Sequence, residues 1–124
     1  MEPLLITATD DTPDVALNPI KGEFFIANRS YPQDAITFYT PILNWLNEYK
    51  KEASALNKFI FKLEYFNTAS SKQLYKVLLI LKEIKNIHNT NIEWHFAKGD
   101  KDMQIAGIRY AKLLNMEIEL VEST

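Results

Sequence analysis

The 124-residue chain has no cysteine, only three glycines and two histidines, and its 14 basic and 16 acidic residues leave a formal charge of −2. Without cysteine there is neither a disulfide nor a thiol nucleophile, and a reducing compartment, the cytoplasm by default, is the expected location. None of the glycines forms a Walker or dinucleotide-type loop, and no glycine-flanked nucleophile elbow is present, so the sequence offers no motif of a nucleotide enzyme or hydrolase. Lys and Glu are scattered rather than blocked, which leaves no broad electrostatic footprint for nucleic acid or an anionic membrane. Any partner must be recognised locally. Met1 is followed by Glu2 and Pro3 with no basic region and no long apolar run, so neither a secretory signal nor a transmembrane helix is readable.

Metal and cofactor chemistry find little support. His88 and His95 lie seven apart on different predicted elements, and no cysteine can complete a zinc set. Asp100-Lys101-Asp102 precedes a helical pattern and reads as capping rather than as a magnesium site. Trp45 and Trp94 fall on predicted core faces and lack interleaved arginine, so they read as packing rather than as a platform for bases. The expectation is a non-catalytic protein with no cofactor and no metal.

What is present is the patterning of one α/β domain over residues 1–124, with 47% hydrophobic and 24% charged residues. Residues 1–14 form an arm in which Leu4-Leu5-Ile6 either adds an edge strand or tucks against the surface. From Val15 to Ala27 two apolar runs flank Lys21-Gly22, the pattern of an antiparallel hairpin. Phe38, Ile42, Trp45, Leu46 and Tyr49 then share one helical stripe, within which Pro41 either starts the regular helix, with Thr40 as cap, or kinks it. Residues 58–66, KFIFKLEYF, alternate Phe59, Phe61, Leu63 and Tyr65 on one face of a central strand. After the polar turn Asn67–Ser71 comes a second helical stripe of Leu74, Val77, Leu78, Leu81 and Ile84. Ile92, Trp94 and Phe96 predict a strand, Met103, Ala106, Tyr110 and Leu113 a helix, and Met116, Ile118 and Leu120 a last strand. Such alternation predicts parallel strands with right-handed crossovers, and the leading hairpin makes the sheet mixed.

The turn at Asn67–Ser71 is the feature most open to function. A Thr or Ser there can serve as the cap of the following helix, which alone would account for it. The same hydroxyls stand at a strand-to-helix junction, where free N–H groups and the helix dipole can receive an added phosphate. A phosphoryl group would add about −1.5 to −2 charge to a surface turn and change what docks there.

Three sets of residues carry a resemblance to a known family. They are Ser30-Tyr31-Pro32, then Phe38-Tyr39 with Pro41-Ile42 and Trp45-Leu46, then Leu63-Glu64-Tyr65-Phe66-Asn67-Thr68-Ala69-Ser70-Ser71-Lys72, and the similarity continues through Trp94 and Asp100-Lys101-Asp102-Met103. In this order they resemble the SiaC family of bacterial regulatory phosphoproteins over nearly the whole chain. The resemblance implies a fold similar to anti-anti-sigma factors, the STAS-like domains. It also implies a partner-switching system in which a dedicated kinase phosphorylates a threonine at the strand-to-helix turn and a phosphatase reverses it. One form then binds a downstream target, in the family a diguanylate cyclase, so that cyclic di-GMP, aggregation and biofilm are controlled. The matching threonine is Thr68. Asn67 is expected to fix the turn, Ser70 and Ser71 to cap the helix and shape the kinase-facing surface, and Lys72 to belong to the partner-binding turn. A binding module without a phosphorylation switch, in which Thr68 is only a cap, is the alternative. The chain departs from the family pattern at Gln33, Ile105 and Ile108, where members carry glutamates, so the target differs or the isoleucines join an apolar docking patch.

Overall fold

The computed structural model describes residues 1–123. The chain runs through β1 (Leu4–Ile6), β2 (Asp14–Asn18), β3 (Glu23–Ser30), α1 (Ala35–Lys50), β4 (Leu56–Phe66), α2 (Thr68–Lys85), β5 (Asn89–Ala97), α3 (Lys101–Leu114) and β6 (Glu119–Ser123). The six strands lie side by side in sequence order. β1, β2 and β3 pair antiparallel, whereas β3, β4, β5 and β6 pair parallel. Each half follows from its connection. The hairpin between β2 and β3 turns through Gly22 at φ +68°, where a side chain would be strained, while the parallel pairs are spanned by helices.

Alternation decides which face is covered. Ile26, Phe61, Trp94 and Leu120 form one row across the sheet, and Phe59 lies beside Ile92 in the next. These side chains, with Leu17 and Phe24, join the inward stripes of α1 and α2 in one core that includes fully buried Ile42, Leu46, Leu74, Leu81 and Ile84. Phe24 packs on Trp45, Tyr49 and Phe59, and Trp94 packs on Phe61 and Tyr110, so all three helices cover the same face. α3 comes close to the sheet at Gly107. A Cβ there would stand 2.5 Å from Trp94 Cδ1 and 2.7 Å from Leu120 Cδ2, so only glycine allows this approach. Among the described residues no helix is long and apolar enough to cross a membrane.

The structure departs from the sequence expectations in four places. Of the two readings of Pro41, a helix start with Thr40 as cap is excluded, because α1 begins at Ala35 behind the cap Asp34 and continues through the proline. The carbonyl that Pro41 cannot serve belongs to Thr37, and both residues are exposed, so water can satisfy it. Tyr65 is not on the buried face of β4. The β3–β4 register shifts after Asn28–Leu63, where Asn28 takes φ +77°, and the extra residue turns Tyr65 outward and Phe66 inward. In α3 it is Leu114, not Leu113, that is buried, and Leu113 is 66% exposed. The last strand starts at Glu119, so Met116 and Ile118 are buried in the connection before it.

Candidate functional site

The turn after β4 is held from β3. The Asn67 amide donates to the Ser30 carbonyl at 3.1 Å, which continues the strand pairing into the turn. Asn67 then takes extended backbone angles, and its Oδ1 accepts the Ser70 amide at 2.8 Å. Asn67 is therefore the cap of α2, and Thr68, Ser70 and Ser71 are not. This corrects the expectation that the hydroxyls cap the helix: the amide side chain one position earlier already has the extended conformation and the reach to do so.

The three hydroxyls have separate environments. Ser70 is fully buried, and its Oγ accepts from Ser30 Oγ at 2.9 Å. Ser30 in turn shares a 2.6 Å hydrogen bond with the hydroxyl of Tyr39 in α1, also fully buried. Burial pushes the Tyr39 hydroxyl up to about 12, against the weaker opposing effect of its Ser30 hydrogen bond. This chain of three hydroxyls joins β3, α1 and α2 beneath the turn, so Ser70 cannot face a kinase and holds the turn from inside. Ser71 is half-buried and its Oγ donates to the Thr68 carbonyl at 2.7 Å, while its own carbonyl accepts the Tyr110 hydroxyl at 2.7 Å. Thr68 is the first residue of α2, exposed, and among the described residues no side-chain hydrogen bond engages its hydroxyl.

The electrostatics around Thr68 suit an added anion. The first turn of α2 contains no acidic residue, and the amides of Thr68 and Ala69 precede the first intrahelical bond, so they point free donors outward. Lys72, exposed, lies one helical turn on from Thr68, within reach of the same face.

A groove of about 600 Å³ opens beside this turn between α2 and α3. Ser71 and Lys72 belong to both features. Phe66, Tyr75, Ala106 and Tyr110 form its apolar surface, with Lys76 and Arg109 also lining it. Sequence reasoning missed Ser30 and Tyr39 as supports of the turn, and Arg109 of α3 as a neighbour of it. Ser30 and Tyr39 lay within the family-like segments, which was the available signal. Gln33 is exposed, and Ile105 and Ile108 are 46% and 37% exposed on α3.

The residues set aside as structural take ordinary places. Asp100 caps α3 by accepting the Met103 amide at 3.1 Å. His95 Nε2 lies 2.8 Å from Glu93 Oε1 on the uncovered sheet face. Among the described residues no group of three or more His, Cys, Asp or Glu is placed to hold a metal ion.

Comparison with known proteins places this geometry. The family model described as SiaC family regulatory phosphoprotein matches residues 6–123. An uncharacterised protein of Pseudomonas aeruginosa strain UCBPP-PA14 is 23% identical over 102 residues, 82% of this chain and 81% of the relative. Among solved structures, apo-SiaC from Pseudomonas aeruginosa superposes with a TM-score of 0.85 at 18% identity and full coverage of both chains. The crystal structure of the diguanylate cyclase SiaD in complex with its activator SiaC, from the same organism, matches with a TM-score of 0.88 at 17% identity over 97% of this chain and 99% of that one.

Proposed function

The chain belongs to the SiaC family of regulatory phosphoproteins, and on that premise we propose that it is a non-catalytic switch phosphorylated on Thr68. In this reading a dedicated kinase adds the phosphate, a phosphatase removes it, and the surface of residues 67–76 is the face shared by both and by a downstream target. The observation that carries the reading is the separation of roles within the turn. Asn67 caps α2, Ser70 is buried, and Thr68 alone of the three hydroxyl residues is exposed with an unengaged hydroxyl. A phosphate on Thr68 meets free amides and Lys72 rather than a core, so it changes the surface without unfolding the helix.

The target we propose is a diguanylate cyclase, bound in one phosphorylation state, in the cytoplasm. The support is the SiaC of Pseudomonas aeruginosa, which shares the fold and is the activator of the cyclase it is bound to. Binding of the true phosphoprotein and of the unmodified protein to the diguanylate cyclase encoded in the same genome, measured side by side by calorimetry, tests the switch. The reading expects affinities that differ by at least about tenfold, equivalent to roughly 1.4 kcal/mol. Equal affinities would mean a constitutive binding module instead.

A further inference from the structure

The groove between α2 and α3 has a sharply sided chemistry. Its floor is apolar and aromatic, built from Phe66, Tyr75, Ala106 and Tyr110, and the charged residues that line it are Lys72, Lys76 and Arg109. All three cations are exposed, and none is in an ion pair with a described residue. Among the described residues no carboxylate lines the groove. The carboxylates Glu64, Asp100 and Asp102 line a separate depression on the far side of Phe66 and Ala106. At the groove's edge Leu113 is 66% exposed, an apolar side chain that no described element covers.

We propose that this groove seats an amphipathic helix of a partner protein, its apolar residues on the floor and its acidic residues against Lys72, Lys76 and Arg109. The proposal deepens the reading of residues 67–76 as a docking face and rests on it. Two helices side by side leave a trough whose width suits a third helix, anchored through residues at i, i+3, i+4 and i+7. Three cations with no counter-charge among the described residues of the groove select an acidic occupant and repel a basic one. The exposed Leu113 lengthens the apolar strip at the groove's edge, which favours a macromolecule over a small anion. The acidic depression beyond Phe66 makes the site polar along its length, so the partner helix carries its acidic residues over the groove and not beyond it.

A matched pair of fluorescein-labelled helical peptides tests this, both with leucine at i, i+3, i+4 and i+7, one flanked by glutamate and the other by lysine. Anisotropy titration of the unphosphorylated full chain gives affinities, and backbone amide shifts map the contact. The glutamate peptide is expected to bind at least about tenfold more tightly than its lysine twin. The shifts should centre on Ser71, Tyr75 and Ala106. The double variant Lys76→Glu/Arg109→Glu, on exposed positions that leave the core intact, should invert the preference. Equal affinities, no binding of either peptide, or shifts centred on the uncovered sheet face would overturn the proposal. So would a dimer in sedimentation that Ala106→Arg dissolves, since the groove would then be closed by a second copy. No kinase enters the experiment, so its failure leaves the Thr68 assignment standing, and failure of Thr68 to accept phosphate leaves a groove result standing.

Discussion

Replacing Asn67 and Thr68 in turn by alanine separates structure from signalling within two adjacent residues. Asn67 Oδ1 accepts the Ser70 amide at 2.8 Å, one of the helix-terminal donors that would otherwise go unpaired in a half-buried turn. Asn67→Ala removes that bond and retains the backbone bond to Ser30, so the loss is that of a cap, about 1 kcal/mol. For a domain of this size that lowers the melting temperature by about 4 °C and the urea midpoint by roughly 0.5 M. Thr68 makes no such bond. At an exposed first helical position Thr68→Ala should change stability by less than about 0.5 kcal/mol in either direction. Urea titrations followed by far-UV circular dichroism read both. A Thr68→Ala loss equal to or larger than that of Asn67→Ala would show that the hydroxyl is the cap and would remove the ground for calling it unengaged.

Three further outcomes follow from the packing. Ser30→Ala leaves the buried hydroxyls of Tyr39 and Ser70 without their shared partner and should cost about 1–3 kcal/mol in urea unfolding, clearly more than Thr68→Ala. Tyr39, raised to about 12 by burial, holds its proton in the folded state after the unfolded chain has released it at its ordinary value of 10. Its contribution is therefore fully present below about pH 10 and falls by up to roughly 3 kcal/mol as pH rises toward about 12. Tyr39→Phe should show a shallower decline over that window, with the remainder owed partly to Tyr110, raised in the same direction chiefly by burial. Gly107→Ala places a Cβ 2.5 Å from the Trp94 ring and 2.7 Å from Leu120, so the overpacking cost falls in the upper part of a range of about 1–3 kcal/mol and outweighs the helix gain of about 1 kcal/mol. The variant should melt earlier and shift the tryptophan emission.

Most of the frame was legible because it is written in local periodicity. The alternation of Phe59, Phe61 and Leu63 gave β4, the stripe from Leu74 to Ile84 gave α2, and the glycine at position 22 gave the hairpin. What was not legible arises between distant residues. Tyr65 and Phe66 exchange faces because of a register shift against β3, which no reading of β4 alone contains. The burial of Ser70 depends on Ser30, forty residues earlier, and on Tyr39 behind it. Three adjacent hydroxyl residues look equivalent in sequence, and only the fold distinguishes the exposed Thr68 from the buried Ser70 and the half-buried Ser71. The cations of the groove lie on two helices, so their grouping appears only when α2 and α3 are side by side. Pro41 was ambiguous because the sequence does not say that Thr37 faces water.

The most direct test of the account is the position of the phosphate. The purified chain, incubated with its cognate kinase and ATP, is read by intact mass and then by fragmentation. One added phosphate on Thr68, absent in Thr68→Ala and retained in Ser71→Ala, is the predicted result. An unchanged mass with a kinase shown to be active, or a phosphate on Ser71 instead, would contradict it.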